Sequence, residues 1–237
     1  SECWSNEVSF AEETKKTGVT GIRGSGIIEA IAELYLCGII SQDGLFDESM
    51  MGRSNRIIKE GRTCSYLLHK GEPELRITQN DIRAIQLAKA ALYAGIRLLI
   101  DHLGIEEVQR IRLAGAFGSH IDVKYAMILG LIPDCDLDHV SSAGNAAGTG
   151  ARMALLNHES RREIEETVRK IEKVETAVEP AFQQHFVDAM AIPHKHAPST
   201  HLQKTVSLPE AKNNAKGNGD STSVSYTHLR AHETIAD

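Results

Sequence analysis

The sequence predicts an α/β fold. Helical segments alternate with short apolar strands, and the strands run directly into glycine-rich turns. Apolar periodicity persists from about residue 21 to residue 193, enough chain to bury a sizeable core. The formal net charge is −6, so no overall basic field favours nucleic acid or anionic lipid. No run of about 18 apolar residues is present, which excludes a predicted membrane span.

The 237 residues divide into three zones. Residues 1–20 are polar and weakly patterned; they lack a basic region followed by an apolar stretch, so they do not form a signal peptide, and they are expected to be the remnant of a preceding strand and loop. Residues 21–193 form the predicted domain. From His194 onward Lys, Asn, Gly, Ser, Thr and His replace the apolar pattern, so 194–237 is expected to be a disordered tail. Within it, residues 223–234 (SVSYTHLRAHET) resemble translated sequencing-adapter read-through and carry no expected function.

The first predicted helix follows Gly26 and carries Ile27, Ile28, Ile31, Leu34, Tyr35 and Ile39. Thr78 and Asp81 have capping-box spacing, a hydroxyl followed three residues later by an acid. The helix they open places Ile82, Ile85, Ala88, Leu92, Ile96, Leu99 and Leu103 on one face and stops at Gly104. Strands are expected at 108–114 (VQRIRLA) and 137–142 (LDHVSS). A helix beginning near Gly144 carries Ala147, Ala151, Ala154 and Leu155, and a charged helix over 161–177 carries Ile164, Val168, Ile171 and Val174. Phe182, Phe186 and Met190 share one side of a last short helix.

Three glycine-rich turns sit where helices begin: residues 21–26 (GIRGSG), 115–118 (GAFG) and 144–150 (GNAAGTG). Glycine there permits positive φ and close backbone approach to a ligand. A helix N-terminus adds unpaired N–H groups and partial positive charge, which suit phosphate. Ser25, Asn145 and Thr149 add side-chain donors and acceptors. The first turn reads G-x-x-G-x-G and so departs from the dinucleotide-binding spacing. Cys3, Cys37, Cys64 and Cys135 are scattered, with no C-x-x-C pair and no metal-binding spacing, and are expected to be reduced thiols of a cytoplasmic protein.

Four blocks, GIRGSGIIEAIAELYLCGII, ITQNDIRAIQLAKAALYAGIRLL, IRLAGAFGSHIDVKYAMILGLIPDC and SSAGNAAGTGARMALL, together resemble the reductive activators of corrinoid proteins. Those proteins end in an ATP-binding domain of the acetate kinase, sugar kinase, heat-shock and actin superfamily. The resemblance implies the C-terminal half of an actin-like ATPase domain (ribonuclease H-like), truncated at its N-terminus. It places Gly115, Ala116 and Gly118 against the nucleotide, Gly144, Asn145 and Gly148 near the hinge, and Gly24, Ser25, Gly26 and Glu29 beside the phosphate or ribose. It implies ATP with Mg²⁺ as ligand, bound weakly by such a half cleft, no better than about millimolar.

The implied parent activity is the ATP-dependent return of cob(II)alamin to cob(I)alamin for methyltransferases, with a corrinoid protein as partner. The electron would come from a [2Fe–2S] cluster in an N-terminal part absent here. Neither the family's D-G-T phosphate loops nor its cluster cysteines occur in this sequence, so this chain alone is expected to be inactive, with no assignable catalytic residue and no metal ligand. Arg23 stands where the family carries Cys. Two alternatives stay open on the residues: an activator of another metalloenzyme in the same superfamily, and a docking or regulatory domain with a vestigial ATP cleft.

Overall fold

The computed structural model of the chain describes residues 18–176 and 178–209. Most of the expected N-terminal remnant, and all of residues 223–234, lie outside them. Residues 18–20 belong to no helix or strand.

Helix α1 (Gly24–Leu36) buries Ile28, Ile31, Leu34 and Tyr35, the spacing its sequence predicts. Each such side chain contributes roughly 1.5–3 kcal/mol when withdrawn from water. A three-stranded antiparallel sheet follows, β1 (Ile57–Glu60), β2 (Thr63–His69) and β3 (Leu75–Thr78), with β2 in the centre. The pairings Ile57↔Tyr66 and Tyr66↔Ile77 fix the register. Gly61, at φ +62°, occupies the two-residue β1–β2 turn, where positive φ matches the twist of the strands. The sequence pattern gives no warning of this sheet. Cys64, Ser65, Tyr66 and Leu67 of β2 are all buried, so the strand lacks the alternation that marks a half-exposed one.

Helix α2 (Gln79–His102) opens with the expected capping box: the Asp81 N–H donates to Thr78 Oγ1 at 3.2 Å, and the Thr78 N–H donates to Asp81 Oδ2 at 2.8 Å. Its buried face differs from the one expected. Leu92, Leu99 and Leu103 are 49%, 50% and 67% exposed, whereas Ile82, Gln86, Lys89, Ala90, Tyr93, Ala94 and Leu98 face inward.

Strand β4 (Ile111–Ala114) leads into one short helical turn, α3 (Gly115–Gly118), and then into α4 (Val123–Leu129). Asp122 caps α4, and Ala126, Met127, Ile128 and Leu129 are all buried. The Tyr125 hydroxyl donates to Glu33 at 2.5 Å, which ties α4 to α1. After a 3₁₀ turn at Leu137–His139, β5 (Val140–Gly144) pairs with β4 in parallel. The expected strand over 137–142 therefore begins later and ends at Gly144.

Helices α5 (Ala146–Leu156) and α6 (His158–Val168) bury no residue. Ala147, Ala151 and Leu155 are exposed, and the predicted charged helix stops at Val168, well short of residue 177. Helix α7 (Phe182–Asp188) packs on α2 around Ala90, Tyr93, Phe186 and Ala189.

Packing does not end at Pro193, where the sequence pattern fades. The Ile192 N–H donates to Gln42 O at 2.8 Å, and the N–H groups of His201 and Leu202 donate to the Asp134 carboxylate. Leu202 opens α8 (Leu202–Thr205) and is completely buried, while Val206 and Leu208 pack against the main core. Residues 194–209 are thus folded onto the domain, although few of them are apolar, because acceptors on other elements satisfy their backbone donors.

Candidate functional site

The parallel pair β4–β5 sets the site. Its register, Ile111↔Val140 through Leu113↔Ser142, slips at Ala114↔Gly144, so both strands reach their glycines at the same edge. Each then turns at once into a helix, β4 into α3 and β5 through Asn145 into α5. The turns 115–118 and 144–148 consequently stand side by side beyond the carboxyl ends of neighbouring parallel strands. That edge is where ligands bind in open α/β sheets. A side-chain link spans the two: Ser142 Oγ donates to Ser119 Oγ at 3.5 Å.

The glycines have separate reasons. Gly115 and Gly144 adopt φ +95° and +59°, and nothing lies within 4 Å of where a Cβ would stand. Backbone conformation, not crowding, demands glycine there, and open space faces the backbone. Gly118 is packed from below, its would-be Cβ 3.0 Å from Leu113 Cβ. Gly148 is required by the cap. Its N–H donates to Asn145 Oδ1 at 2.9 Å, and a Cβ would lie 2.6 Å from Asn145 Nδ2. Asn145 thereby satisfies one of the first N–H groups of α5 and leaves others free.

Ala116 and Asn145 are exposed, and Gly115, Gly118, Gly144 and Gly148 are half-buried, so the edge is open to a ligand. Gly24, Ser25 and Gly26 form not a free turn but the first turn of α1, which begins three residues earlier than expected. Ser25 and Glu29 are half-buried there, and Arg23 is an exposed N-cap residue without a side-chain cap bond.

The two glycine turns offer backbone donors in open space, which fits the phosphate or ribose of a nucleotide. Among the described residues no three His, Cys, Asp or Glu side chains converge as a metal-binding group. Cys64 and Cys135 are buried, with burial pushing both thiols up, and Cys37 is exposed. The described residues therefore do not fit an iron–sulfur cluster, which needs four clustered thiolates.

The most perturbed groups lie elsewhere. Lys89 is completely buried, and its ammonium donates to the carbonyls of Ala189, Ala191 and Pro193 at 2.5, 2.5 and 2.8 Å. Burial pushes its pKa down to about 7. Gln86 donates to Asp43 O and Met190 O. Burial, with Lys89 adding to it, pushes His194 down to about 4. The one sequence signal for this clasp is the stripe Ile82, Gln86, Lys89/Ala90, Tyr93, a second helical face that competes with the leucine face.

The family model for the C-terminal domain of RACo, the ASKHA domain, matches residues 4–203. The corrinoid activation enzyme RamQ of Eubacterium limosum is 38% identical over 184 residues, which is 73% of this chain and 31% of that protein. The solved structure of a reductive activator for corrinoid, iron-sulfur protein is similar at a TM-score of 0.66 with 34% identity, covering 74% of this chain and 29% of that one. The chain thus spans about a third of the length of these relatives. No helix among the described residues is long and apolar enough to cross a membrane.

Proposed function

The chain belongs to the family of C-terminal ASKHA (actin-like ATPase) domains of RACo, and from that premise we propose that it is the nucleotide-binding side of an ATP-dependent activator of corrinoid proteins. The observation that carries this reading is the pairing of two open glycine turns at the carboxyl edge of β4–β5. In it, the backbone N–H groups of Gly115, Ala116 and Gly118 face the nucleotide from one turn. Gly144 and Gly148 line it from the other turn, their own N–H groups held by Ser142 Oγ and Asn145 Oδ1. The helix N-terminus of α5 favours the negative charge of phosphate. Gly24, Ser25, Gly26 and Glu29 at the start of α1 complete the proposed site.

ATP supplies the free energy for an uphill one-electron reduction of cob(II)alamin to cob(I)alamin on a partner corrinoid protein. In this reading the electron arrives from an iron–sulfur cluster carried by another part of the full activator, and Mg²⁺ arrives with the nucleotide. These residues bind and orient; phosphoryl transfer needs charge stabilisation around the phosphates that they do not provide.

Titration of the chain with Mg-ATP, followed by backbone amide NMR, tests the assignment. The expected result is shifts centred on 115–118 and 144–150 with a dissociation constant of about a millimolar, abolished in Gly144→Val. Shifts confined to other regions, or none, would remove the site.

A further inference from the structure

We propose that residues 189–208 form an acid-sensitive strap, pinned by the neutral ring of His194, whose release loosens the stretch of chain joining the two glycine turns. The strap binds three separate parts of the body. Lys89 of α2 donates to three of its carbonyls, the loop after α1 exchanges bonds with Ile192 and His194 through Gln42, and Asp134, in the loop after α4, accepts from His201 and Leu202. Gly130, at the end of α4, lies so close beneath the Pro193 carbonyl that a Cβ would collide with it. Gly130 and Asp134 both belong to the connection from α3 to β5, the path between the turns at Gly115 and Gly144. A closed strap therefore fixes that path.

His194 is the group whose protonation state the geometry decides. Its Nδ1 accepts the N–H groups of His196 and Ala197 at 3.1 and 2.9 Å, so that nitrogen must carry a lone pair. A proton placed there would face two donors and break both bonds. The ring also lies against Tyr93 with centroids 4.9 Å apart. The charged and titratable groups around it are Lys89 from α2, His185 and Asp188 from α7, and His196 from the strap; Asp134 lines the same cavity from the loop after α4. Burial is the largest influence against the imidazolium; Lys89, His196 and His185 add to it, and Asp188 alone opposes them.

The direction follows. His194 is held at about 4 in the closed strap, against an ordinary 6.5 once released, so the open form binds more protons between those values. The contribution of His194 to closure is complete above about pH 6.5 and weakens as pH falls, by up to about tenfold in the opening equilibrium per pH unit, until about pH 4. Lys89 titrates in a separate window above about 7 and remains an ammonium throughout this one.

Hydrogen exchange on the whole chain from about pH 7 down to about pH 4, corrected for intrinsic rates, tests the strap. The expected result is a progressive loss of protection at 195–206 while the amides of α1 and β2 stay protected. His194→Phe keeps a ring against Tyr93 but removes the acceptor and the titration. It should lower strap protection near pH 7 and make it independent of pH down to about 4. Wild-type strap protection that is flat across the range, or a variant that keeps the wild-type slope, would overturn the proposal. Should that variant not fold, the wild-type ring resonances decide. A His194 midpoint near 4 supports the strap, and a midpoint near 6.5 refutes it.

Discussion

Helix α2 and the α5–α6 pair answer the same question in opposite ways. Helix α2 buries a lysine and a glutamine and leaves leucines half in water. Helices α5 and α6 carry Met153, Leu155, Leu156, Ile164 and Val168 and bury nothing at all. Leu155 and Leu156 are 77% and 84% exposed. An amphipathic stripe says that a helix can be covered, not that it is. What locates the tight part of this molecule is the match of buried donors to buried acceptors. Three ammonium protons meet three carbonyls at Lys89, and two amide protons meet two carbonyls at Gln86.

The largest effect that would break this contrast is expected at Gly130. Its φ of +76° and its closeness to the Pro193 carbonyl leave no room for a side chain, so Gly130→Ala should cost about 4 kcal/mol and prevent strap closure, as read by urea unfolding. Next comes Lys89→Met, which strands three carbonyls while relieving the cost of a buried charge. The stranding should dominate, for a net loss of about 2 kcal/mol near pH 7.

The same variant carries a pH signature. Lys89 sits at about 7 when folded and 10.5 when released, so the unfolded chain holds more protons in between and wild-type stability should rise with pH across that window. Lys89→Met should lose this rise, seen as a flatter dependence of the urea midpoint on pH. Thr78→Ala removes one arm of the α2 capping box and should cost about 1 kcal/mol, measured in the same way. The smallest effect is expected in the uncovered region: Leu156→Ser should leave the midpoint within about 0.5 kcal/mol of wild type. A large loss there would show that α5 is covered after all.

Features that depend on neighbours in sequence were legible in it. The Thr78–Asp81 box, the start of α5 at Asn145 and the glycine turns after β4 and β5 all appear where local chemistry puts them. The two turns stand together because β4 and β5 pair in parallel and end at the same edge. The inward face of α2 was not legible, because the carbonyls that make Lys89 tolerable lie about a hundred residues away. The folded state of 194–209 was hidden for the same reason: Asp134, 67 positions upstream, accepts from His201. The antiparallel sheet was missed because β2 is buried on both faces. Gly24 to Gly26 read as a turn, yet α1 starts early enough to include them.

The clasp also has a consequence in time. A ribosome delivers residue 89 long before residues 189 to 193, and residue 42 earlier still, 152 positions ahead of the His194 carbonyl it will bind. While the chain is being made, α1, α2 and α4 can assemble, but Lys89 and Gln86 then point into water or an unfinished crevice. Contacts of such long separation are slow to form because the intervening chain must first be ordered. Emergence of residues 189–193, rather than that of the apolar core, is therefore the moment at which this domain locks. Nascent chains halted before residue 189 should be the form most dependent on chaperones.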